Sequence, residues 1–350
     1  MTAPVARLTA LATSVPPYEL RQDALMAHAA KLLPGIDAEA LARMLPVYEN
    51  AGIATRYSCV PLEWYERPHG WAEKNRLYLD NAVTLSAAAA EDALDRAGLG
   101  ASEVDTIVAV STTGIATPSL DALLMERMDF RRNTERTPVF GLGCAGGVLG
   151  LTRAAALARA DPGKIVLLLV VELCGLTFRR SDPSKANMVA TALFGDGAAA
   201  ALVSCAGDGP MIEHSGEHTW PDTLDVMGWR VEEDGLGVQF SRDIPAMTRT
   251  EFRDAAHRFL AERNLALDDI DHFVCHPGGA KVLDALEEAF GVAPGGLTVS
   301  RAVLNDYGNM SAASVLFVLE RTLRQGARGR MLLSSLGPGF TAAFLTMTAS

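Results

Sequence analysis

Short apolar runs alternate along this chain with longer amphipathic stretches. Runs rich in Val, Ile, Leu and Ala stand at Thr106–Val110, Pro138–Leu142, Ile165–Val171, Ala198–Val203, His272–Cys275 and Met331–Ser335. Each has strand length and is apolar at successive positions, the pattern of strands buried on both faces. Between them the apolar spacing lengthens to that of helices. Asn75–Ala97, Lys281–Phe290 and Met310–Gln325 each stop just before a glycine (Gly98, Gly291, Gly326), which caps a helix C-terminus well. Strands alternating with helices predict an α/β architecture with its sheet covered on both faces. The opening MTAPVARLTALATSVPP reads as a first strand rather than a signal peptide.

An internal repeat refines this picture. LGASEVDTIV at Leu99–Val108 aligns without gaps with LALDDIDHFV at Leu265–Val274. Gly143-Cys144-Ala145 and Gly308-Asn309-Met310 lie at nearly the same offset, each before a helix and then an apolar strand. Either match alone is open to chance, since amphipathic βα units look alike. Two matches at nearly one offset favour duplication. The chain then reads as two related α/β halves, residues 1–205 and 206–350, forming one compact body. Cys144 and Asn309 are expected at equivalent helix starts.

Composition narrows the function classes. The chain has 350 residues, 49% hydrophobic and 21% charged, enough apolar material for a large core. A net charge of −11 argues against a nucleic-acid surface. No apolar run approaches the ~20 residues that cross a bilayer, so a cytoplasmic protein is expected. The five cysteines (Cys59, Cys144, Cys174, Cys205, Cys275) are odd in number, dispersed and without a CxxC pair. That spacing favours neither a disulfide framework nor a zinc site, and no metal is expected.

Candidate chemistry centres on three residues. Cys144 sits in PVFGLGCAGGVLG, where an apolar strand meets glycines and then a helix. A thiol at a helix N-terminus meets the positive end of the dipole and free N–H groups, which favour the thiolate and also suit an oxyanion. A buried structural cysteine explains this segment equally well. His276 follows the expected strand Asp271–Cys275 and opens Pro277-Gly278-Gly279, a place that faces a cleft in many α/β proteins; a structural histidine is the simpler reading of it alone. Asn309, after Gly308 and before an apolar helical run, reads first as a helix cap. Together the three fit one chemistry. A thiolate accepts an acyl group as a thioester. Decarboxylation of a malonyl thioester creates an enolate, whose oxygen needs donors such as imidazole N–H and an Asn amide.

Taken together these residues resemble the thiolase superfamily and, within it, the chalcone synthase-like type III polyketide synthases. The match is carried by GLGCAGG around Cys144, ALFGDGAAA at Ala192–Ala200, HPGG at His276–Gly279 and YGNMSAAS at Tyr307–Ser314. LGPGFT at Leu336–Thr341 and NAGIATRYS at Asn50–Ser58 extend it over nearly the whole chain. The resemblance implies a duplicated five-layer αβαβα fold, a homodimer, acyl-CoA and malonyl-CoA as substrates, no cofactor and no acyl-carrier protein. It implies that Cys144 carries the acyl chain while His276 and Asn309 bind the thioester carbonyl and the enolate. Phe194 matches the aromatic gatekeeper between CoA tunnel and cavity. Thr112, Thr117, Cys174, Thr177 and Ser311 match cavity positions. Arg56 is the candidate for a CoA phosphate, since Arg suits that group, with Gly278 and Ala280 beside the CoA path.

The chain departs from the plant pattern at three positions. Val238 stands where a second gatekeeper Phe is usual, Trp229 falls near a usual Gly, and Thr117 replaces a Met that reaches into the partner subunit. The general look resembles bacterial members that make alkylpyrones or alkylresorcinols from fatty acyl-CoAs, with a small Val238 opening room for an alkyl tail. Three other readings fit parts of the sequence. A ketoacyl-carrier-protein synthase shares the Cys/His/Asn set but usually shows an HQAN-like stretch in place of HPGG, and condenses once. An inactive acyl-CoA-binding relative would keep the fold without turnover. A papain-like hydrolase has Cys, His and Asn in this order but does not fit the internal repeat.

Overall fold

The computed structural model describes residues 4–350. Its strands are β1 (Arg7–Ser14), β2 (Tyr18–Arg21), β3 (Thr55–Ser58), β4 (Thr106–Val110), β5 (Glu135–Val139), β6 (Val166–Leu173), β7 (Asp196–Ser204), β8 (Met211–Thr219), β9 (Met227–Glu232), β10 (Gly235–Phe240), β11 (His272–Cys275), β12 (Gly329–Gly337) and β13 (Thr341–Ala349). Nine of them form one sheet in the order β11-β12-β13-β8-β1-β7-β6-β4-β5. The duplication is written in this order. β4 pairs parallel with β6, β6 antiparallel with β7, and β7 antiparallel with β1. The same succession recurs in β11, β12, β13 and β8. The two sets meet where Arg7 of β1 pairs with Met211 of β8.

Apolar side chains point from both faces of these strands, as their unbroken hydrophobicity requires. On β6, Leu167, Leu169 and Val171 enter one core, while Val166, Leu168 and Val170 enter another. On β7, Ala198, Ala200 and Leu202 join the first, and Ala199, Ala201 and Val203 the second. The first core is closed by the Trp71–Ala97 helix through Ala82, Ala89, Ala90 and Ala93, small residues that let helix and sheet approach closely. The second core holds the central Gly146–Ala160 and Ser314–Arg324 helices, and is shared with Met331 and Leu333 of β12. On the far side, Leu332 and Phe344 pack with Phe259, Leu283 and Phe290 of the outer Arg253–Ala261 and Ala280–Phe290 helices. The two strand sets, joined among the described residues only at the Arg7–Met211 pair, pack on the central helices as two layers, so the order is helix, sheet, helix, sheet, helix, the five-layer arrangement of the thiolase-like fold.

Element boundaries moved where backbone geometry overrode hydrophobicity. The run Pro138–Leu142 was expected as a strand, but β5 covers Glu135–Val139, because its register with β4 runs from Thr106↔Glu135 to Val110↔Val139. Gly141 (φ +92°) and Gly143 (φ +47°) then turn the chain. The expected Met310–Gln325 helix begins at Ser314, after a 3₁₀ turn over Ser311–Ala313. Gly98 and Gly291 adopt the left-handed conformation as C-caps. Among the described residues no helix is long and apolar enough to cross a membrane.

Candidate active site

Two 3₁₀ turns set the site. Gly143–Ala145 leads into the Gly146–Ala160 helix and Ser311–Ala313 into the Ser314–Arg324 helix. They touch at backbone level: a Cβ on Gly147 would lie 2.3 Å from Ala312 O. Measured against the helix starts, the counterpart of Cys144 is Ala312 rather than Asn309. The sequence repeat placed Asn309 there, but Asn309 lies on the strand-like approach to its turn, where it forms an isolated parallel bridge with Phe194. Its N–H donates to Leu193 O (2.8 Å) and its carbonyl accepts from Gly195 N (3.0 Å).

The three candidate residues occupy one buried region. Cys144, His276 and Asn309 are 9%, 5% and 3% exposed, so none is a surface residue. The Cys144 thiol faces Ser311 Oγ at 3.7 Å. Asn309 Oδ1 accepts from Ser311 N (2.8 Å), and Asn309 Nδ2 donates to Gly278 O (3.2 Å). A Cβ on Gly278 would lie 3.6–3.7 Å from the His276 ring. Ser311 thus links thiol and amide, and Gly278, whose N–H donates to His276 O (3.0 Å), lies between the amide and the imidazole. His276 follows β11, its N–H donating to Ser334 O (2.8 Å), while both ring nitrogens are buried without a partner among the described residues. An orphaned buried polar atom calls for a ligand or water to pair with it.

Electrostatics corrects one expectation. The helix start favours a thiolate, yet burial pushes the Cys144 thiol up to about 12 and the His276 imidazole down to about 4. Both therefore rest neutral, and a thiolate needs a proton acceptor. Glu172, at the end of β6, is fully buried and is pushed up to about 7 by that burial. Its carboxylate accepts from Thr112 N (3.0 Å) and Ser311 Oγ (3.4 Å), while Thr112 Oγ1 accepts from Gly143 N (3.2 Å). A charged residue directly after the apolar run Ile165–Val171 was a signal in the sequence that periodicity passed over.

The remaining expected positions divide. Cys174, Thr177, Phe194 and Val238 line one cavity of about 40 Å³ with Leu20, Leu25 and Ala190. The Phe194 ring packs against Trp229 (5.9 Å) and Phe240 (5.7 Å). Phe240 was not singled out from sequence, although it lies two residues from Val238 and so on the same face of β10. Gly278 and Ala280 are partly exposed at the start of the Ala280–Phe290 helix. Thr117 is exposed and does not line this chain's cavity. Arg56 is a correction too: it is 3% exposed, and its guanidinium donates to Thr191 O (2.6 Å), Phe194 O (3.0 Å), Ala192 O (2.9 Å) and Gln22 Oε1. Those carbonyls end the Lys185–Leu193 helix, whose negative pole suits a cation. Arg56 braces Phe194 from behind and is not open to a CoA phosphate.

Residues 5–208 match the family model for the N-terminal domain of chalcone and stilbene synthases, and residues 212–348 that for their C-terminal domain. The 1,3,6,8-tetrahydroxynaphthalene synthase of Streptomyces peucetius subsp. caesius is 40% identical, over 97% of this chain and 92% of its own. The 3,5-dihydroxyphenylacetyl-CoA synthase of Amycolatopsis balhimycina is 30% identical, over 84% and 82%. The solved structure of 1,3,6,8-tetrahydroxynaphthalene synthase from Streptomyces coelicolor A3(2), a bacterial type III polyketide synthase, matches with a TM-score of 0.93 at 31% identity, covering 98% of this chain and 99% of that one. Fold, near full-length coverage and both family models agree: this chain belongs to the chalcone and stilbene synthases and is a type III polyketide synthase, an acyltransferase acting on CoA thioesters.

Proposed function

We propose that the chain builds an alkylpyrone or alkylresorcinol-type product from a fatty acyl-CoA starter and malonyl-CoA, with Cys144 as the acyl carrier. The reading rests on one chain of contacts: the Cys144 thiol and the Asn309 side chain share Ser311, Asn309 Nδ2 reaches Gly278 beside the unpartnered His276 imidazole, and Asn309 bridges to Phe194 in the wall of an apolar pocket. His276 takes the thiol proton as Sγ attacks the acyl-CoA carbonyl, and CoA leaves as its thiolate. Malonyl-CoA then loses CO₂, and the resulting enolate oxygen is held by the Asn309 amide and the His276 N–H. The enolate carbon attacks the Cys144 thioester, freeing the Cys144 thiolate and leaving a β-ketoacyl-CoA two carbons longer. Reloading repeats the cycle until the chain cyclises. No cofactor enters these steps, and no carrier protein is needed.

The aliphatic starter is proposed from the pocket wall. Leu20, Leu25, Ala190 and Val238 present apolar surface beyond Cys174, where a hydrocarbon tail gains from leaving water. The two relatives above are named for naphthalene and phenylacetyl products, so starter choice separates the readings. The protein is also proposed to act as a homodimer. Ile115 and Phe140, 49% and 61% exposed on the loops leaving β4 and β5, give an apolar face with Thr117 beside it. The test is a product assay. Malonyl-CoA is supplied with acetyl-CoA, p-coumaroyl-CoA or long-chain acyl-CoAs, and products are read by mass spectrometry. Tri- or tetraketide rings from long-chain starters are expected. Products made from malonyl-CoA alone, or from p-coumaroyl-CoA in preference, would overturn the aliphatic reading.

A further inference from the structure

Two facing parts of the Phe194 pocket come from distant stretches of the chain. One is the segment Cys174–Phe178, the other the β9–β10 hairpin, whose Val238 lines the pocket while Trp229 and Phe240 pack against Phe194. Val238 and Trp229 face each other in the hairpin register. At its tip the hairpin turns through Glu233-Asp234, and Asp234 reaches back to the opposite wall. Its Oδ1 accepts from Arg179 Nε and its Oδ2 from Ser181 Oγ, each at 2.5 Å. Lys74, 4% exposed, donates Nζ to Phe178 O (2.7 Å) and Asp234 O (3.0 Å), and so clamps both walls. The backbone bends close to these cations: Cβ atoms on Gly235 and Gly237 would stand 3.6 Å from Lys74 Nζ and 3.2 Å from Arg179 Nη1. The Arg179 segment is itself fixed, since Asn187 Nδ2 donates to Arg179 O (2.7 Å) from the helix that ends at Phe194.

An exposed ion pair contributes little to geometry or stability. This one differs, because Arg179 and Asp234 side chains are 16% and 31% exposed and the carboxylate is shared with a hydroxyl. A second cavity of about 190 Å³, lined by Trp64, Lys74, Arg180, Ser181 and Asp234, lies against the latch. It shares Tyr65 and Phe178 with the Phe194 pocket, so there is space for the walls to part. At about 40 Å³ the closed pocket holds roughly one water rather than an alkyl chain.

We propose that Asp234 is a positioning residue for the acyl pocket: by pinning the β9–β10 hairpin to Arg179, Ser181 and Lys74 it sets the separation of the two walls, and with it the length of starter accepted. The proposal rests on the aliphatic-starter reading for its consequence in catalysis, but not for the latch itself. Asp234→Asn keeps the shape and removes the charge, and Asp234→Glu keeps the charge.

The test has three readouts: amide hydrogen exchange over residues 227–240, malonyl-CoA decarboxylation without starter, and kcat/KM for hexanoyl-CoA against palmitoyl-CoA. In Asp234→Asn, exchange rises across the hairpin and decarboxylation persists. The palmitoyl-to-hexanoyl ratio shifts by about fivefold or more towards the longer chain, and Asp234→Glu recovers part of the wild-type ratio. Unchanged exchange overturns the latch. Raised exchange with both starters losing activity in parallel overturns its role in selecting length. If the wild-type protein takes no aliphatic starter, the aliphatic reading falls, and the latch is judged by exchange alone.

Discussion

Asn309 spends both ends of its amide on backbone, Nδ2 on Gly278 and Oδ1 on Ser311, and one Nδ2 hydrogen remains for an enolate. Asn309→Ala is expected to lower malonyl-CoA decarboxylation about 100-fold while acyl loading changes only a few-fold. Equal loss of both would make Asn309 a helix-entry brace and nothing more. Glu172 yields a pH prediction. Burial raises its pKa from 4.5 in the unfolded chain to about 7. The folded chain therefore holds a proton that the unfolded chain releases. Its stabilising effect is full below about 4.5 and is lost as pH rises through about 7. Denaturation midpoints between about pH 5 and 8 should fall more steeply in the wild-type protein than in Glu172→Gln, by up to about 3 kcal/mol across that window. Parallel curves would show that Glu172 stays ionised. At this scale the sequence showed the glycine-flanked residues and hid the buried charges. Arg56 and Glu172 carry the same letters as surface ion-pair partners, and only packing reveals that one caps a helix end and the other stands beside the thiol.

The Gly143–Ala145 turn shows how closely backbone and loop are fitted. Gly143 has φ +47°, and a Cβ there would lie 2.5 Å from Pro338 Cδ in the Gly337-Pro338-Gly339 loop. Gly143→Ala adds roughly 1–2 kcal/mol of left-handed strain to that clash, so condensation is expected to fall about tenfold or more. Full activity would mean that the loop and turn do not need this contact. Val238, which lines the pocket with Thr177, is tested by Val238→Phe. The expected result is a loss of about tenfold in kcat/KM for palmitoyl-CoA with acetyl-CoA use retained; an equal effect on both would take the tail out of this pocket. Buried strands and glycine-capped helices were legible because hydrophobic runs and C-caps leave local marks. The β9–β10 hairpin was not. Its strands are half-exposed and mixed in polarity, and its place is decided by contacts with Arg179 and Lys74, far away in sequence.

For the molecule as a whole, duplication was the most informative feature of the sequence. It appears as two runs of strands with the same pairing order, β4-β6-β7-β1 and β11-β12-β13-β8, around two central helices. The repeat misjudged one detail, setting Asn309 rather than Ala312 opposite Cys144, because Cys144 lies inside its 3₁₀ turn whereas Asn309 stands two residues before the start of its own. Cys144 comes from the first half and His276 and Asn309 from the second, so the proposed chemistry needs the assembled chain. Acyl loading on Cys144 is read by intact-protein and peptide mass spectrometry after mixing the protein with palmitoyl-CoA without malonyl-CoA. One palmitoyl group is expected on the peptide containing Cys144, absent in Cys144→Ala and discharged when malonyl-CoA is added. Acylation elsewhere, or a Cys144 adduct that malonyl-CoA leaves in place, would contradict the role of Cys144 as acyl carrier.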